Sequence, residues 1–163
     1  MSTLRILGTQ NYSIQAHLAR SADGRIEWEL VRREGDGTRF LLQIWDPRPD
    51  DRTMDSLKET FLAFWLDAGP LDPGDAHFGF DDGQIWLLQP LHGTPLPKLW
   101  TDWSLAQREA FRKFLEPALA GSSSPRLLHP QIIGLKAGRI IIPRLIGEPP
   151  FGLPELFEQL ANL

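Results

Sequence analysis

The side chains best suited to acid–base or metal chemistry near neutral pH are four histidines, His17, His77, His92 and His129. None stands three or four positions from another, the spacing that sets two imidazoles on one helix face toward a metal, so a histidine metal site has little support. Asp46, Asp50 and Asp51 are close enough in sequence to gather around a cation, but Pro47 and Pro49 between them make a turn the simpler account. Asp72, Asp75, Asp81 and Asp82 likewise read as turn residues flanking short strands. Ser122-Ser123-Ser124 lacks the Gly-x-Ser-x-Gly frame that presents a serine nucleophile, and no Gly-x-x-x-x-Gly-Lys run exists to cradle a phosphate. With no cysteine, the chain has no disulfide, thiolate metal site or thiol nucleophile, which fits a reducing compartment. These observations place an unrecognised enzyme third among the functional readings.

The aromatic residues carry more information. Phe61, Phe64, Phe111 and Phe114 stand at helical spacing and read as core. Trp28, Trp45, Trp86, Trp100 and Trp103 are too many to bury in a chain of 163 residues unless each indole N–H finds a partner. Trp100 and Trp103 lie beside prolines and a helix start, where exposure is easy, and are assigned to a protein interface. The stripe Leu153, Leu156, Phe157, Leu160 and Leu163 at the carboxy-terminal end is assigned with them, either patching exposed apolar surface or docking on a partner.

The elements that would position these residues follow from the pattern. Alternating apolar residues over 12–18 and 25–33 and an apolar run over 39–45 predict three antiparallel strands, separated by turns at Asp23-Gly24 and at 34–37. The third strand is apolar on both faces, so it should lie centrally with cover on each side. A helix is expected over 52–67, striped by Met54, Leu57, Phe61, Phe64 and Trp65 and stopped by Gly69-Pro70. Strands over 76–80 and 84–89 follow, then a proline-bearing connector over 90–97 with no regular element. Ser104 and Gln107 form a capping box for a helix ending near Gly121, kinked or shortened by Pro117. A hairpin pairing 126–133 with 139–146 and a helix over 153–163 complete the chain. The fold class is α+β: one domain over 1–163, with a five-stranded antiparallel sheet and packed helix over 1–90 and a shorter helical and hairpin extension over 91–163.

That order resembles the amino-terminal lobe of the protein-kinase fold, continued into the start of its second lobe. Gly8 with the strand over 12–18 stands where the family has its glycine-containing hairpin. The third strand should end in Ala-x-Lys, and Leu42-Gln43-Ile44-Trp45 has no lysine there. Glu59 is nearest to the glutamate that would pair with it. The run 84–96, ending in Gly93-Thr94-Pro95-Leu96, looks like the fifth strand and hinge. Leu127-Leu128-His129-Pro130-Gln131 replaces His-Arg-Asp, which puts Gln131 where the catalytic aspartate belongs. The hairpin over 132–145 takes the place of the metal-binding asparagine and Asp-Phe-Gly, and Pro143-Arg144-Leu145-Ile146-Gly147 offers arginine in place of the carboxylate. The resemblance therefore implies a degenerate, truncated pseudokinase: phosphoryl transfer needs positioning, metal and lysine, and those residues are absent.

A net charge of −4 argues against nucleic acid, since Arg32-Arg33 is ringed by Glu29, Glu34 and Asp36. No apolar run approaches the ~20 residues of a membrane span, and the amino terminus lacks the apolar core of a secretory signal, so the expected setting is cytoplasmic. The leading expectation is a non-catalytic adaptor or regulatory subunit, with no cofactor and no catalytic or metal residues, that binds another protein or a second copy of itself. The runner-up is a nucleotide or small-metabolite sensor using a cleft between the Gly8 hairpin and the 90–97 connector.

Overall fold

The computed structural model describes residues 4–45, 50–66, 76–81, 84–121, 125–145 and 150–163, with the side chains of residue 53 and of 60–66 and 81 outside that set. Asp46, Asp72, Asp75, Asp82, Ser122-Ser123-Ser124 and Ile146-Gly147 lie outside the described residues, as do the side chains of Phe61, Phe64 and Trp65.

Strands β1 (Leu4–Leu7), β2 (Gln10–Arg20), β3 (Ile26–Arg33) and β4 (Arg39–Trp45) come first, followed by helix α1 (Asp51–Leu66). Strands β5 (His77–Asp81) and β6 (Gln84–Pro90) lead through β7 (Thr94–Pro95) to helices α2 (Leu96–Asp102) and α3 (Leu105–Ala120). Strands β8 (Gly134–Lys136) and β9 (Arg139–Ile141) and helix α4 (Leu153–Ala161) end the chain. The first six strands form one antiparallel sheet in the order β1-β2-β3-β4-β6-β5, and β7-β8-β9 form a second, small one.

The α+β class and the sheet-plus-helix arrangement are as expected, but the main sheet has six strands rather than five. The additional strand is β1. Gly8, at φ +63°, turns the chain so tightly that Leu4–Leu7 folds back onto 10–13, with Arg5 opposite Tyr12. Four residues are too few to show an alternation by themselves. The connector over 90–97 also differs, because Pro97 falls in the first turn of α2, where a missing N–H leaves nothing unsatisfied. The terminal hairpin is shorter than expected. Its flanks meet only at an isolated bridge between Arg126 and Arg144, because residues 130–132 turn the chain away after His129. Pro117 lies in the last turn of α3 and the helix runs on to Ala120, capped at its start by the Ser104–Gln107 box.

Strand β4 lies centrally and is covered on both faces, as its pattern required. Phe40, Leu42 and Ile44 pack on one face with Tyr12, Val31, Leu88 and Leu7. On the opposite face Trp45 meets Met54 and Leu57 of α1 together with Ile85 and Leu87. Further along that face, Leu41 and Trp28 meet Leu127, Ile132 and Leu145 from the carboxy-terminal half.

Two glycines let the small sheet close against the connector. A β-carbon on Gly93, which sits at φ +78°, would lie 2.2 Å from the Leu135 carbonyl oxygen, and one on Gly134 would lie 2.4 Å from that of His92. Gly93→Ala is therefore expected to lower stability by about 2 kcal/mol or more. The readout is a lower urea midpoint at unchanged m-value, and an unchanged midpoint would show that these backbones can separate without cost.

Candidate functional site

The residues assigned to a protein interface are brought together, but inside the chain. Trp100 is only 4% exposed, where exposure was expected. Its ring lies 6.2 Å from that of Trp103, 6.1 Å from Phe111 and 6.3 Å from Phe157. Arg108 covers the Trp100 ring at 5.1 Å and donates from Nε to the Trp100 carbonyl at 3.0 Å. Leu156 and Leu160 of α4 are fully buried in the same cluster, with Trp103, Leu153 and Phe157 partly buried around it. The physical reason is α4 itself. It arrives fifty residues after Trp100 and lays its apolar stripe over the α2–α3 corner, so the stripe patches the surface from within. Trp28, Trp45 and Trp100 are all buried, and the indole N–H groups of Trp28 and Trp86 have no hydrogen-bond partner among the described residues.

The junction between the sheet and the carboxy-terminal half is where the kinase resemblance sets its chemistry. Gln43 and Trp45, on the strand that should end in lysine, are 0% and 5% exposed. Glu59 is exposed on α1. Gln131 is exposed, and its backbone N–H donates to His129 Nδ1 at 3.2 Å. The space between the halves is filled by Trp28, Leu41, Leu127, Ile132 and Leu145, with Leu18, Leu91 and Phe151 packed beside them. Gln89, fully buried on β6, seals it. Its Oε1 accepts from the Arg144 backbone N–H at 2.9 Å, and its Nε2 donates to the Arg144 carbonyl at 2.5 Å. Arg126, also buried, donates from Nη1 to the Ile142 carbonyl at 2.6 Å. Gln89 and Arg126 thus both hold backbone of the carboxy-terminal half in place.

A cleft of about 460 Å³ lies on the other face of the sheet. The β1–β2 hairpin supplies Leu7, Thr9, Gln10 and Tyr12, while Ala76, His77 and Phe78 supply the facing wall. Arg33, Trp86 and Leu88 line the floor. The cleft thus bridges the two outer strands of a curled sheet. No sequence motif foretold it, because its walls come from positions some seventy residues apart and meet only through pairing. Arg33 grips Asp36 through Nε and Nη2 (3.1 and 2.5 Å), which holds the Asp36 carboxyl well below the usual range. Burial raises the Tyr12 hydroxyl, against the opposing pull of Arg33.

The hairpin that walls this cleft is tied down by charge. Glu29, on β3 and 0% exposed, accepts from Arg5 Nε at 2.6 Å and lies 2.9 Å from His17 Nδ1. Arg5 also reaches Glu27 at 3.3 Å, and Arg20 pairs with the other oxygen of Glu27. Arg5 therefore staples β1 to β3 across β2. Among the described residues no group of three or more His, Asp or Glu is placed to hold a metal ion.

No protein-family model matches the chain, and no curated protein matches it. Among solved structures it is similar to the kinase domain of PknI from Mycobacterium tuberculosis. The identity is 21% over 91% of this chain and 64% of that one, at a TM-score of 0.47. A single-mutant form of the same domain gives 20% identity over 96% and 66% of the two chains, at 0.48. A double-mutant form gives 18% over the same shares, at 0.48. The chain spans about two thirds of the length of these kinase domains. No helix among the described residues is long and apolar enough to cross a membrane.

Two outcomes follow from this geometry. Trp100→Ala removes the ring at the centre of the aromatic cluster and is expected to cost about 3–5 kcal/mol in a denaturant titration. A loss below about 1 kcal/mol would show that α4 does not need it. His129 gives a pH dependence: burial holds its imidazole below the ordinary value of 6.5. The folded state then takes up its proton later than the unfolded state as pH falls. Its contribution is full above about pH 6.5 and is lost as pH drops through the unfolded value toward the lower folded one. The melting temperature should therefore fall more steeply from pH 7 to pH 5 in the wild type than in His129→Gln, and equal slopes would contradict the assignment.

Proposed function

We propose that the chain is a non-catalytic protein-binding module, an adaptor or regulatory subunit of the cytoplasm, built on a kinase-like order of elements. The observation that carries this reading is the filled junction. A kinase-type site needs an open space between sheet and second half, entered by a phosphate lysine and two metal ligands. Here that space holds Trp28, Leu41, Leu127, Ile132 and Leu145, and the backbone at Arg144 is clamped by Gln89. Opening it would expose at least these five apolar side chains to water, at about 1.5–3 kcal/mol for each full side chain. That cost is comparable to the whole stability of a domain this size. The sequence resemblance supports the same reading: Leu42-Gln43-Ile44-Trp45 has no lysine to match the family's, and Gln131 and Arg144 match the base and the metal carboxylate without their chemistry.

Thermal unfolding with ATP, GTP and Mg²⁺ tests the reading. A ligand specific to the folded state adds about 2.7 kcal/mol at a hundred times its dissociation constant, a shift easily seen. The expected result is an unchanged melting temperature at millimolar nucleotide. A magnesium-dependent rise would overturn the reading and show that the junction opens.

A further inference from the structure

Strand β1 is an outer strand of the main sheet, and among the described residues it pairs with β2 alone. Such an edge offers a row of backbone donors and acceptors to any extended chain, and proteins ordinarily guard it with lysine, proline or an outward charge. Among the described residues this edge carries no such guard. Its single charged residue, Arg5, is turned onto the sheet and bonded to Glu29 and Glu27. The alternate residues Leu4 and Ile6 are 52% and 69% exposed on the outer face. Leu7, on the inner face with Arg5, opens onto the 460 Å³ cleft whose floor includes Trp86 and Leu88. Exposed apolar side chains therefore lie on the outer face of this strand edge, and a cleft of mixed polar and apolar lining lies on its inner face.

We infer that β1 is a docking edge for an extended, apolar segment of another protein, which adds to the sheet as a further strand. Its backbone pairs with β1. Its side chains alternate between the cleft, whose lining includes Thr9, Gln10 and Trp86, and the outer face, where its apolar side chains meet Leu4 and Ile6. The inference rests on the protein-binding reading above and names the surface and the partner's chemistry. A second copy of this chain is a poorer occupant. Pairing four-residue edges across a two-fold axis buries far less than the roughly 1,000 Å² that a specific interface needs. A separate segment that also fills the cleft buries more. The ion pairs of Arg5 make the edge ready in advance, because they fix β1 before any partner arrives.

The test uses the full chain and a fluorescein-labelled decapeptide, with two lysines at each end of Val-Ile-Val-Thr-Val-Ile, read by anisotropy. Two further peptides carry N-methyl groups on alternate central amides, one in each phase. Only one set of amides faces β1, so one N-methylated peptide should bind roughly tenfold or more weaker than the parent and the other should bind like it. Ile6→Lys and Leu4→Lys should each weaken the parent peptide by a similar factor. Both sites are exposed, so both variants should keep the wild-type melting temperature. No binding of the parent peptide, equal binding of both N-methylated forms, or indifference to both lysine variants would overturn the inference. Sedimentation as a dimer that Ile6→Lys dissociates would overturn it in favour of a second copy. If the peptide fails and nucleotide shifts nothing, the docking edge falls and the protein-binding reading stands. A magnesium-dependent nucleotide shift would remove that reading whatever the peptide does.

Discussion

Gln89 holds the backbone at Arg144 by both ends of its amide, and around that clamp the sheet and the carboxy-terminal half become one packed body. The clamp works because the site is dry. Gln89 is fully buried opposite Leu41 of β4, and a buried amide with both groups bonded costs little, whereas one left unpaired costs about 1–3 kcal/mol. Apolar burial supplies the attraction, and the two bonds set the register at which the halves meet. The Leu96 N–H on the Ile133 carbonyl (2.8 Å) and the Leu91 N–H on the Arg39 carbonyl (2.9 Å) extend that register along the connector. Trp28 fills the same junction at 1% exposure, and its indole N–H has no hydrogen-bond partner among the described residues.

With one face of the sheet committed to α1 and the junction, surface for recognition is left at the other face and its edges. The charge network around Glu29 has its meaning there. A fully buried carboxylate is expensive unless it is paired, and Arg5 pairs with Glu29 from β1 while His17 Nδ1 on β2 lies 2.9 Å from its other oxygen. Their pairing fixes the β1–β2 hairpin over the cleft despite the two irregularities in the β2–β3 register. The aromatic cluster of Trp100, Trp103, Phe111 and Phe157 plays the corresponding part in the other half, anchoring α4 beneath Arg108 and Arg112.

Much of this was legible in the amino-acid order, and the exceptions have physical causes. Alternation marked β2 and β3, turn residues bounded β5 and β6, and the apolar character of β4 on both faces announced its central place. Ser104 and Gln107 marked the start of α3 because capping is decided within four residues. β1 escaped notice because a four-residue strand is defined by the turn at Gly8 and by its partner. α2 escaped because Pro97 reads as a breaker until its place in the first turn is known. Trp100 was expected at the surface because its neighbours in sequence say nothing of α4. The cleft beside β1 was illegible for the same reason: Leu7, Arg33, His77 and Trp86 meet only through strand pairing.

The central claim is that the junction stays closed in the native protein, and native-state hydrogen exchange at the Arg144 and Leu145 amides tests it most directly. Arg144 N–H is bonded to Gln89 and Leu145 N–H to the Pro125 carbonyl at 3.0 Å. A closed junction predicts that both exchange only through global unfolding, with the same free energy and denaturant dependence as the amides of β4. Exchange of these two amides through a separate, lower-energy opening while β4 stays protected would show that the halves part in the native state, and would contradict the account.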